Sequence, residues 1–250
     1  MASKSKIEWT DHTYNPWWGC TKVSAGCDRC YAENLSQRYG GPKWGPQAKR
    51  MVRAMPKSSP LQWEAQAKKT AKPTRVFCAS MCDILDPHAD CNELRPPLWQ
   101  LIDQTKNLRW LLLTKRSELA RGLLPEKWLR NWPSHVWLGA TVESQDVIKS
   151  RLGPLMDFCC QRFVSCEPLI GDVVLEGFLS LNTKDFRPLD WIIVGGETAA
   201  GARPMNEAWV RSIRDEALDY EVPFFFKQWG PTKKHGRVLD GRTWDETPWD

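Results

Sequence analysis

The chain has 250 residues, of which 42% are hydrophobic and 26% charged. This length fits one large domain or a single α/β barrel, and the composition excludes a disordered chain. No run approaches the roughly 18 apolar residues that a membrane-spanning helix needs, and the N-terminus has no apolar core of signal-peptide type. We therefore expect a cytoplasmic protein that does not bind membranes.

Nine cysteines and fifteen tryptophans stand out in the composition. Thiols in a reducing compartment are typical of metal binding or catalysis rather than of a disulfide framework, and an odd number excludes complete pairing. Indole rings fill cores, but they also stack on bases and cover reactive cofactors. Metal or redox chemistry therefore becomes the leading class of function.

The formal net charge of +5 is concentrated in one part of the chain. Between Lys43 and Lys72 there are eight basic residues and one acid. We call residues 40–73 the basic segment. One interpretation is a solvated surface loop with a short helix. The other is an arm whose cations, among them Lys49, Arg50 and Arg53, contact nucleic-acid phosphates while Trp44 and Trp63 stack on bases.

Short, nearly continuous apolar runs predict buried parallel strands. One lies within Thr13–Gly19, and the others are Thr74–Ser80, Arg109–Thr114, His135–Thr141, Arg162–Cys166, Trp191–Gly196 and Val222–Gln228. Helical patterns separate them at Tyr31–Arg38, Leu94–Lys106, Ser117–Leu123, Gln145–Met156 and Glu207–Asp219. This alternation predicts an α/β fold with a parallel sheet, either doubly wound or closed towards a barrel. No glycine-rich dinucleotide motif follows the first strand.

Polar or charged residues follow six successive predicted strands. They are Ser80 and Asp83; Thr114, Lys115 and Arg116; Thr141 and Glu143; Ser165 and Glu167; Gly195, Gly196 and Glu197; and Lys227 and Gln228. Parallel α/β folds place their active sites at the carboxyl ends of their strands. The series therefore predicts a polar active-site region at the carboxyl ends of the strands.

The strongest local motif is a loop with the spacing C-x6-C-x2-C, formed by Cys20, Cys27 and Cys30. Gly19 and Gly26 allow its backbone to turn tightly. A structural zinc site usually has four protein ligands, whereas three cysteines on a cubane iron–sulfur cluster leave one iron open to a substrate or cosubstrate. An iron–sulfur cluster is the favoured interpretation, with zinc and unligated thiols as alternatives.

The loop and its position resemble the radical S-adenosylmethionine (SAM) superfamily, in which C-x3-C-x2-C is the commoner spacing. A closer resemblance, to a phage-associated three-cysteine family of uncharacterised proteins, covers nearly the whole chain. It rests on IEWTDHTYNPWWGCTKVSAGCDRCYAE, LLLTKR, VWLGATVE, RFVSCEPLIG, WIIVGGE, ARPM and FFFKQWG.

The resemblance implies a single domain, a partial TIM-like barrel of six or seven β/α units. It implies that Cys20, Cys27 and Cys30 hold a [4Fe–4S] cluster whose fourth iron binds SAM, and that one electron from a donor such as flavodoxin or ferredoxin yields a 5′-deoxyadenosyl radical. By position, the cofactor contacts are Ser80, Asp83, Thr141, Glu143, Gly195 and Gly196. Glu167, Glu197 and Lys227 are the expected catalytic residues, and Ser165 is expected to line the substrate side with them.

The favoured substrate is a nucleic acid or a modified nucleotide, above all phage DNA in a bacterial host cell. A radical isomerisation of an amino-acid-modified thymine would hypermodify the base. A base-lesion repair lyase is an alternative enzyme, and a non-catalytic zinc or iron–sulfur nucleic-acid-binding module is the alternative from a different class. Cys78, Cys82 and Cys91 are interpreted either as a second cluster site or, with more weight, as buried thiols.

Overall fold

The structure is a computed structural model and describes residues 5–42, 44–52, 58–181, 189–231 and 236–249. Short strands alternate with helices along the chain. The strands are β1 (His12–Tyr14), β2 (Thr74–Cys78), β3 (Leu108–Thr114), β4 (Val136–Thr141), β5 (Gln161–Cys166), β6 (Trp191–Gly195) and β7 (Phe224–Gln228). The α-helices are α1 (Tyr31–Arg38), α2 (Ser58–Thr70), α3 (Asp90–Gln104), α4 (Ala120–Leu123), α5 (Glu126–Arg130), α6 (Ile148–Leu152), α7 (Glu176–Leu179) and α8 (Glu207–Asp219).

The strands follow one another in chain order in a seven-stranded sheet. Strands β1, β2 and β3 pair in parallel, and so do β5, β6 and β7. A doubly wound sheet reverses its strand order at a switch point, which this order does not do. The predicted α/β class with a parallel sheet is therefore confirmed, and the consecutive order is the one that a partial barrel requires.

The chain divides into two compact units. The first comprises Met1–Lys22 and Ala32–Leu138, and the second comprises Val23–Tyr31 and Gly139–Asp250. The core of the first unit contains the fully buried Trp110 of β3, and that of the second contains the fully buried Trp191 of β6. Both indoles lie in the apolar runs that predicted these strands.

Helix α8 illustrates how the sequence produces an element of the second unit. Asn206 caps the helix, because its side-chain oxygen accepts a hydrogen bond of 2.9 Å from the Ala208 N–H. Val210, Ile213 and Ala217 are buried, and their spacing places them on one face. This apolar face packs beside β7.

Two of the predicted elements that differ in the structure do so because of a proline. Strand β1 starts one residue before Thr13–Gly19 and ends at Tyr14, because Pro16 has no N–H to extend the ladder. The predicted helix over Gln145–Met156 is interrupted. Only α6 is α-helical there, with 3-10 turns on either side, since Pro154 cannot donate the next α-helical hydrogen bond.

In the basic segment, the thirteen residues of α2 form a helix with Lys68 and Lys69 in its last turn. Trp63 of α2 is 6% exposed and stacks on His12, with ring centroids 4.1 Å apart. Its expected role in stacking on bases is therefore wrong, because its ring is already covered. Among the described residues, no helix has both the length and the apolar character to cross a membrane.

Candidate functional site

The three cysteines lie between β1 and α1, and none of the three forms a disulfide bond. Gly19 turns the chain immediately before Cys20 with a φ of +110°, a conformation that favours glycine. Cys27 ends a 3-10 turn, and Cys30 directly precedes α1. Cys20 is buried and belongs to the first unit, whereas Cys27 and Cys30 are half-buried and belong to the second.

In the first unit, Arg116 connects the end of β3 to Cys20. Its Nη1 lies 3.6 Å from Cys20 Sγ and donates to Asp83 Oδ2 at 2.9 Å, while Nη2 donates to the Thr21 carbonyl. Burial raises the pKa of the Cys20 thiol to about 12, the Asp83 charge adds to the rise, and Arg116 opposes it. The guanidinium is therefore the group that favours a thiolate at Cys20.

Asp83 uses both carboxylate oxygens inside the protein. Oδ1 accepts from the Thr114 hydroxyl at 2.7 Å and from the Leu85 N–H at 2.9 Å, and Oδ2 accepts from the Lys115 N–H at 2.9 Å as well as from Arg116. In the structure Asp83 thus fixes the arginine that contacts Cys20. Its predicted contact with a cofactor stays a prediction.

A second buried ion pair, between Arg50 and Asp86, lies in the same unit, with an N–O distance of 2.7 Å. Arg50 also donates to Thr21 Oγ1 at 2.8 Å, so two arginines hold this loop residue. Arg50 is only 6% exposed. The expectation that Arg50 contacts phosphates is therefore wrong, because its charge is neutralised inside the fold. Arg53 lies outside the described residues.

In the second unit, the cysteine loop packs directly on Glu143, which follows β4. A Cβ at Gly26 would lie 3.0 Å from both Cγ and Cδ of Glu143. Any larger residue at position 26 would have to displace the Glu143 side chain, so glycine permits this close approach. Glu143 is 1% exposed, and neither carboxylate oxygen has a hydrogen-bond partner among the described residues. The hydroxyl of Ser165 on β5 is also buried, and it too has no hydrogen-bond partner among the described residues. Such atoms are costly to bury, so they indicate contacts for a ligand.

Arg203 holds the same loop at a second point. Its Nη2 donates to the Ala25 carbonyl at 2.8 Å and to Glu197 Oε1, and its Nε donates to Glu197 Oε2 at 3.1 Å. Burial alone would raise the pKa of Glu197, but the hydrogen bonds and charge of Arg203, with the charge of Arg29, outweigh it and lower that pKa. Glu197 is thus an ionised anchor for the loop, and its predicted catalytic role is untested.

Glu167, the first residue after β5, and Lys227, the second-last residue of β7, form an ion pair. Their side chains are 18% and 17% exposed, so the pair remains partly accessible to solvent. Gln228 Nε2 lies 3.4 Å from the same carboxylate oxygen, Glu167 Oε1. The second unit therefore has a reachable acid–amine pair at the carboxyl ends of β5 and β7.

The other residues that are predicted to contact the cofactor lie in two different parts of the structure. Asn15 Nδ2 donates to Ser80 Oγ at 3.1 Å in the first unit. In the second unit, Thr141 is buried at the end of β4. A Cβ on Gly196 would lie 2.2 Å from the Trp229 carbonyl oxygen, whereas one on Gly195 would first meet the flexible end of Gln228 at 3.0 Å. Gly196 is therefore required by backbone packing.

Two cysteines of the second group behave as core residues. Cys78 and Cys91 are fully buried, and burial raises the pKa of both thiols, that of Cys91 to about 12. Across the described ranges, loop cysteines included, no three His, Cys, Asp or Glu side chains are already arranged to hold a metal ion. Packing as small hydrophobic residues accounts for Cys78 and Cys91.

A family model described as "Protein of unknown function (DUF5131)" matches residues 4–248. The chain belongs to the DUF5131 family. The match includes the whole cysteine loop and every strand. Arg116, Glu143 and Arg203, which contact the loop, therefore lie inside the matched region. No curated protein and no solved structure matches the chain.

The chemistry available to this DUF5131 chain follows from its groups. Three cysteine sulfurs on one loop form a soft donor set suited to iron–sulfur clusters or zinc. The buried carboxylate of Glu143, lacking a donor among the described residues, suits hydroxyl or amine groups of a ligand. The Glu167–Lys227 pair offers a proton donor and an acceptor within reach of solvent.

Proposed function

We propose that this chain is a radical SAM enzyme with a partial-barrel fold of that type. Cys20, Cys27 and Cys30 would hold a [4Fe–4S] cluster. The observation that carries the proposal is the loop itself: three unbridged cysteines follow the first strand of a parallel sheet, and arginine–carboxylate pairs hold the loop at Thr21 and at Ala25.

The residues of the chain fit such a cofactor in two respects. The donor set is three cysteines outside any disulfide, which suits a cluster with one iron left open to SAM. The carboxylate of Glu143 is buried against the loop and lacks a partner among the described residues. A ribose diol would donate two hydrogen bonds to that carboxylate, and the nearby polar side chains of Thr141 and Ser165 would orient the rest of the nucleoside.

When bound, the cluster and SAM supply reductive cleavage to a 5′-deoxyadenosyl radical, with the electron taken from a flavodoxin or ferredoxin. The protein residues bind, orient and exclude water. Gly195 and Gly196 would lie beside the adenine with their backbone, and Ser80 would meet the methionyl end. Lys227 Nζ would hold a proton shared with Glu167 Oε1 on the substrate side, where the ion pair remains partly exposed.

The proposed substrate is a modified base in DNA, processed by radical isomerisation without net redox change. Its support is the basic segment, in which Lys49, Lys68, Lys69 and Lys72 are exposed and available to phosphates. Burial of Arg50 and Trp63 reduces this surface to the exposed lysines. The reaction would take place in the cytoplasm of a bacterial host.

The test is anaerobic reconstitution with iron and sulfide, followed by dithionite, SAM and an oligonucleotide that carries an N-linked glycyl-thymine. We expect 5′-deoxyadenosine and a base of unchanged mass but altered chromatographic retention. A base that loses mass would instead indicate a lyase. A colourless zinc protein that leaves SAM intact would overturn the enzyme proposal and favour a nucleic-acid-binding module.

A further inference from the structure

We propose that Arg116 is a positioning residue that raises the reduction potential of the cluster through Cys20. This inference rests on the proposed function, because it presupposes that Cys20 is a cluster ligand. It adds a role for a residue that would touch neither SAM nor substrate.

The geometry places a fixed positive charge on one cysteine sulfur. Arg116 Nη1 lies 3.6 Å from Cys20 Sγ, and the two side chains belong to residues that are 3% and 8% exposed. Water therefore screens this contact little. Cys27 has a different neighbour, the Ser24 hydroxyl, whose oxygen lies 3.9 Å from its sulfur. The sulfur of Cys20 thus has a cation as its neighbour, whereas the sulfur of Cys27 has a neutral hydroxyl.

Two acceptors hold the guanidinium of Arg116, and a third holds its backbone N–H. Asp83 Oδ2 accepts from the same Nη1 at 2.9 Å, the Thr21 carbonyl accepts from Nη2, and the Arg116 backbone N–H donates to Thr114 Oγ1 at 2.9 Å. Asp83 is itself fixed by the donors described above. Arg116 therefore keeps its direction towards the sulfur without the cluster, and no reorganisation is needed when an electron arrives.

The expected consequence is electrostatic. A cluster that accepts one electron from a low-potential donor gains one negative charge, which spreads onto its cysteine sulfurs. A hydrogen bond from a cation stabilises this reduced state more than the oxidised state, and hydrogen bonds to sulfur are an established control of cluster potential. Arg116 keeps its proton before and after the transfer, so the step moves one electron only.

The test compares four anaerobically reconstituted proteins: wild type, R116Q, R116K and R130Q. Arg130 pairs with a neighbour on α5 at an exposed position, with side chains 76% and 78% exposed, so R130Q controls for net charge. We measure the iron and sulfide content of each protein. We also measure the midpoint potential of the cluster by a dithionite titration in which electron paramagnetic resonance reports the reduced cluster at each potential.

We expect full cluster content in all four proteins and a more negative midpoint in R116Q. At a fixed ambient potential the ratio of reduced to oxidised cluster should fall about tenfold, which corresponds to about 59 mV for one electron. In R116K this ratio should fall less than tenfold, because a lysine keeps the positive charge but lacks the several N–H donors of the guanidinium. R130Q should match wild type.

R116Q leaves the Asp83 charge without its arginine and raises the risk of misfolding, so D83N/R116Q is also compared with D83N, since both lack the Asp83 charge and differ only at Arg116. A midpoint equal to that of wild type in R116Q, or equal to that of D83N in the folded double variant, would overturn the inference. Loss of the cluster from both, with intact folding, would also overturn it and give Arg116 a purely structural role. A wild-type protein that binds no cluster would overturn the proposed function and this inference together.

Discussion

A Cβ atom on Gly26 would lie 3.0 Å from Cγ and Cδ of Glu143, so the cysteine loop and the residue after β4 are in direct contact. The sequence marks these two features independently, one as a cysteine motif and the other as a polar strand end. In the second unit they form one site. The position of the loop is thereby coupled to whatever occupies the Glu143 carboxylate.

The variant G26A tests this contact. Its methyl group needs the Glu143 side chain to shift, and overpacking of this kind costs about 1–3 kcal/mol. We expect lower stability in denaturant unfolding and slower formation of 5′-deoxyadenosine. The matched control is G177A, since nothing lies within 4 Å of a Cβ at Gly177. Equal behaviour of the two variants would contradict the contact.

The isosteric variant E143Q should have opposite effects on stability and binding. Removal of a buried carboxylate that has no hydrogen-bond partner among the described residues should raise the free energy of unfolding of the apoprotein by about 1–3 kcal/mol. Replacement of a charged acceptor by a neutral one should weaken SAM binding to the reconstituted protein by about 10- to 100-fold. Calorimetric titration with SAM and urea unfolding measure the two effects. A less stable apoprotein with unchanged SAM affinity would show that Glu143 is purely structural.

The Glu197–Arg203 pair predicts a pH-dependent contribution to stability. The pKa of Glu197 lies below its ordinary value of 4.5 in the folded chain, so ionised Glu197 stabilises the fold above about pH 4.5 and this stabilisation is lost as the pH falls through the folded pKa. We expect E197Q to be less stable than wild type by about 1–3 kcal/mol at pH 7, with the difference shrinking at lower pH.

The measurement is urea unfolding of wild type and E197Q from about pH 7 down to about pH 3.5, a range that spans the ordinary carboxyl pKa. E207Q provides the control, because Glu207 pairs with Arg211 at the surface, where side chains are 63% and 41% exposed. Surface pairs of this kind contribute little. A difference between wild type and E197Q that grows on acidification would refute the stabilising role of this pair.

We expect the exposed lysines of α2 to contribute to DNA binding and to its salt dependence. The double variant K68Q/K69Q should weaken binding across sequences and lower the slope of log K against log salt by about 0.9 for each phosphate that is no longer neutralised. The control K106Q/K149Q removes two exposed lysines elsewhere. Fluorescence anisotropy at several salt concentrations gives both slopes. Identical slopes for the two double variants would exclude α2 as a DNA-binding element.

The sequence predicts most of the sheet because its strands are buried on both faces and therefore read as continuous apolar runs. Strand β4 illustrates this, since all six of its residues are buried. Element ends are less predictable where one residue decides them. Pro16 shortens β1, and Pro154 stops α6 from extending into a longer helix.

The site is only partly predictable for a different reason. The cysteines are local in sequence, so their spacing is visible. The residues that hold them are distant: Arg116 is 96 positions from Cys20, and Arg203 is 178 positions from Ala25. In the sequence Arg203 is visible only as part of the ARPM segment, which gives no indication of its contact. Such pairings arise from tertiary packing, and one sequence alone does not reveal them.

The most direct measurement is the iron and acid-labile sulfide content after anaerobic reconstitution of wild type, C20S, C27S, C30S and the exposed-cysteine control C159S. We predict about four irons and four sulfides per chain in wild type and C159S, and near-complete loss in each of the other three. Retention of the cluster in C20S, C27S or C30S, or one zinc and no sulfide in wild type, would contradict the assignment of these cysteines as cluster ligands.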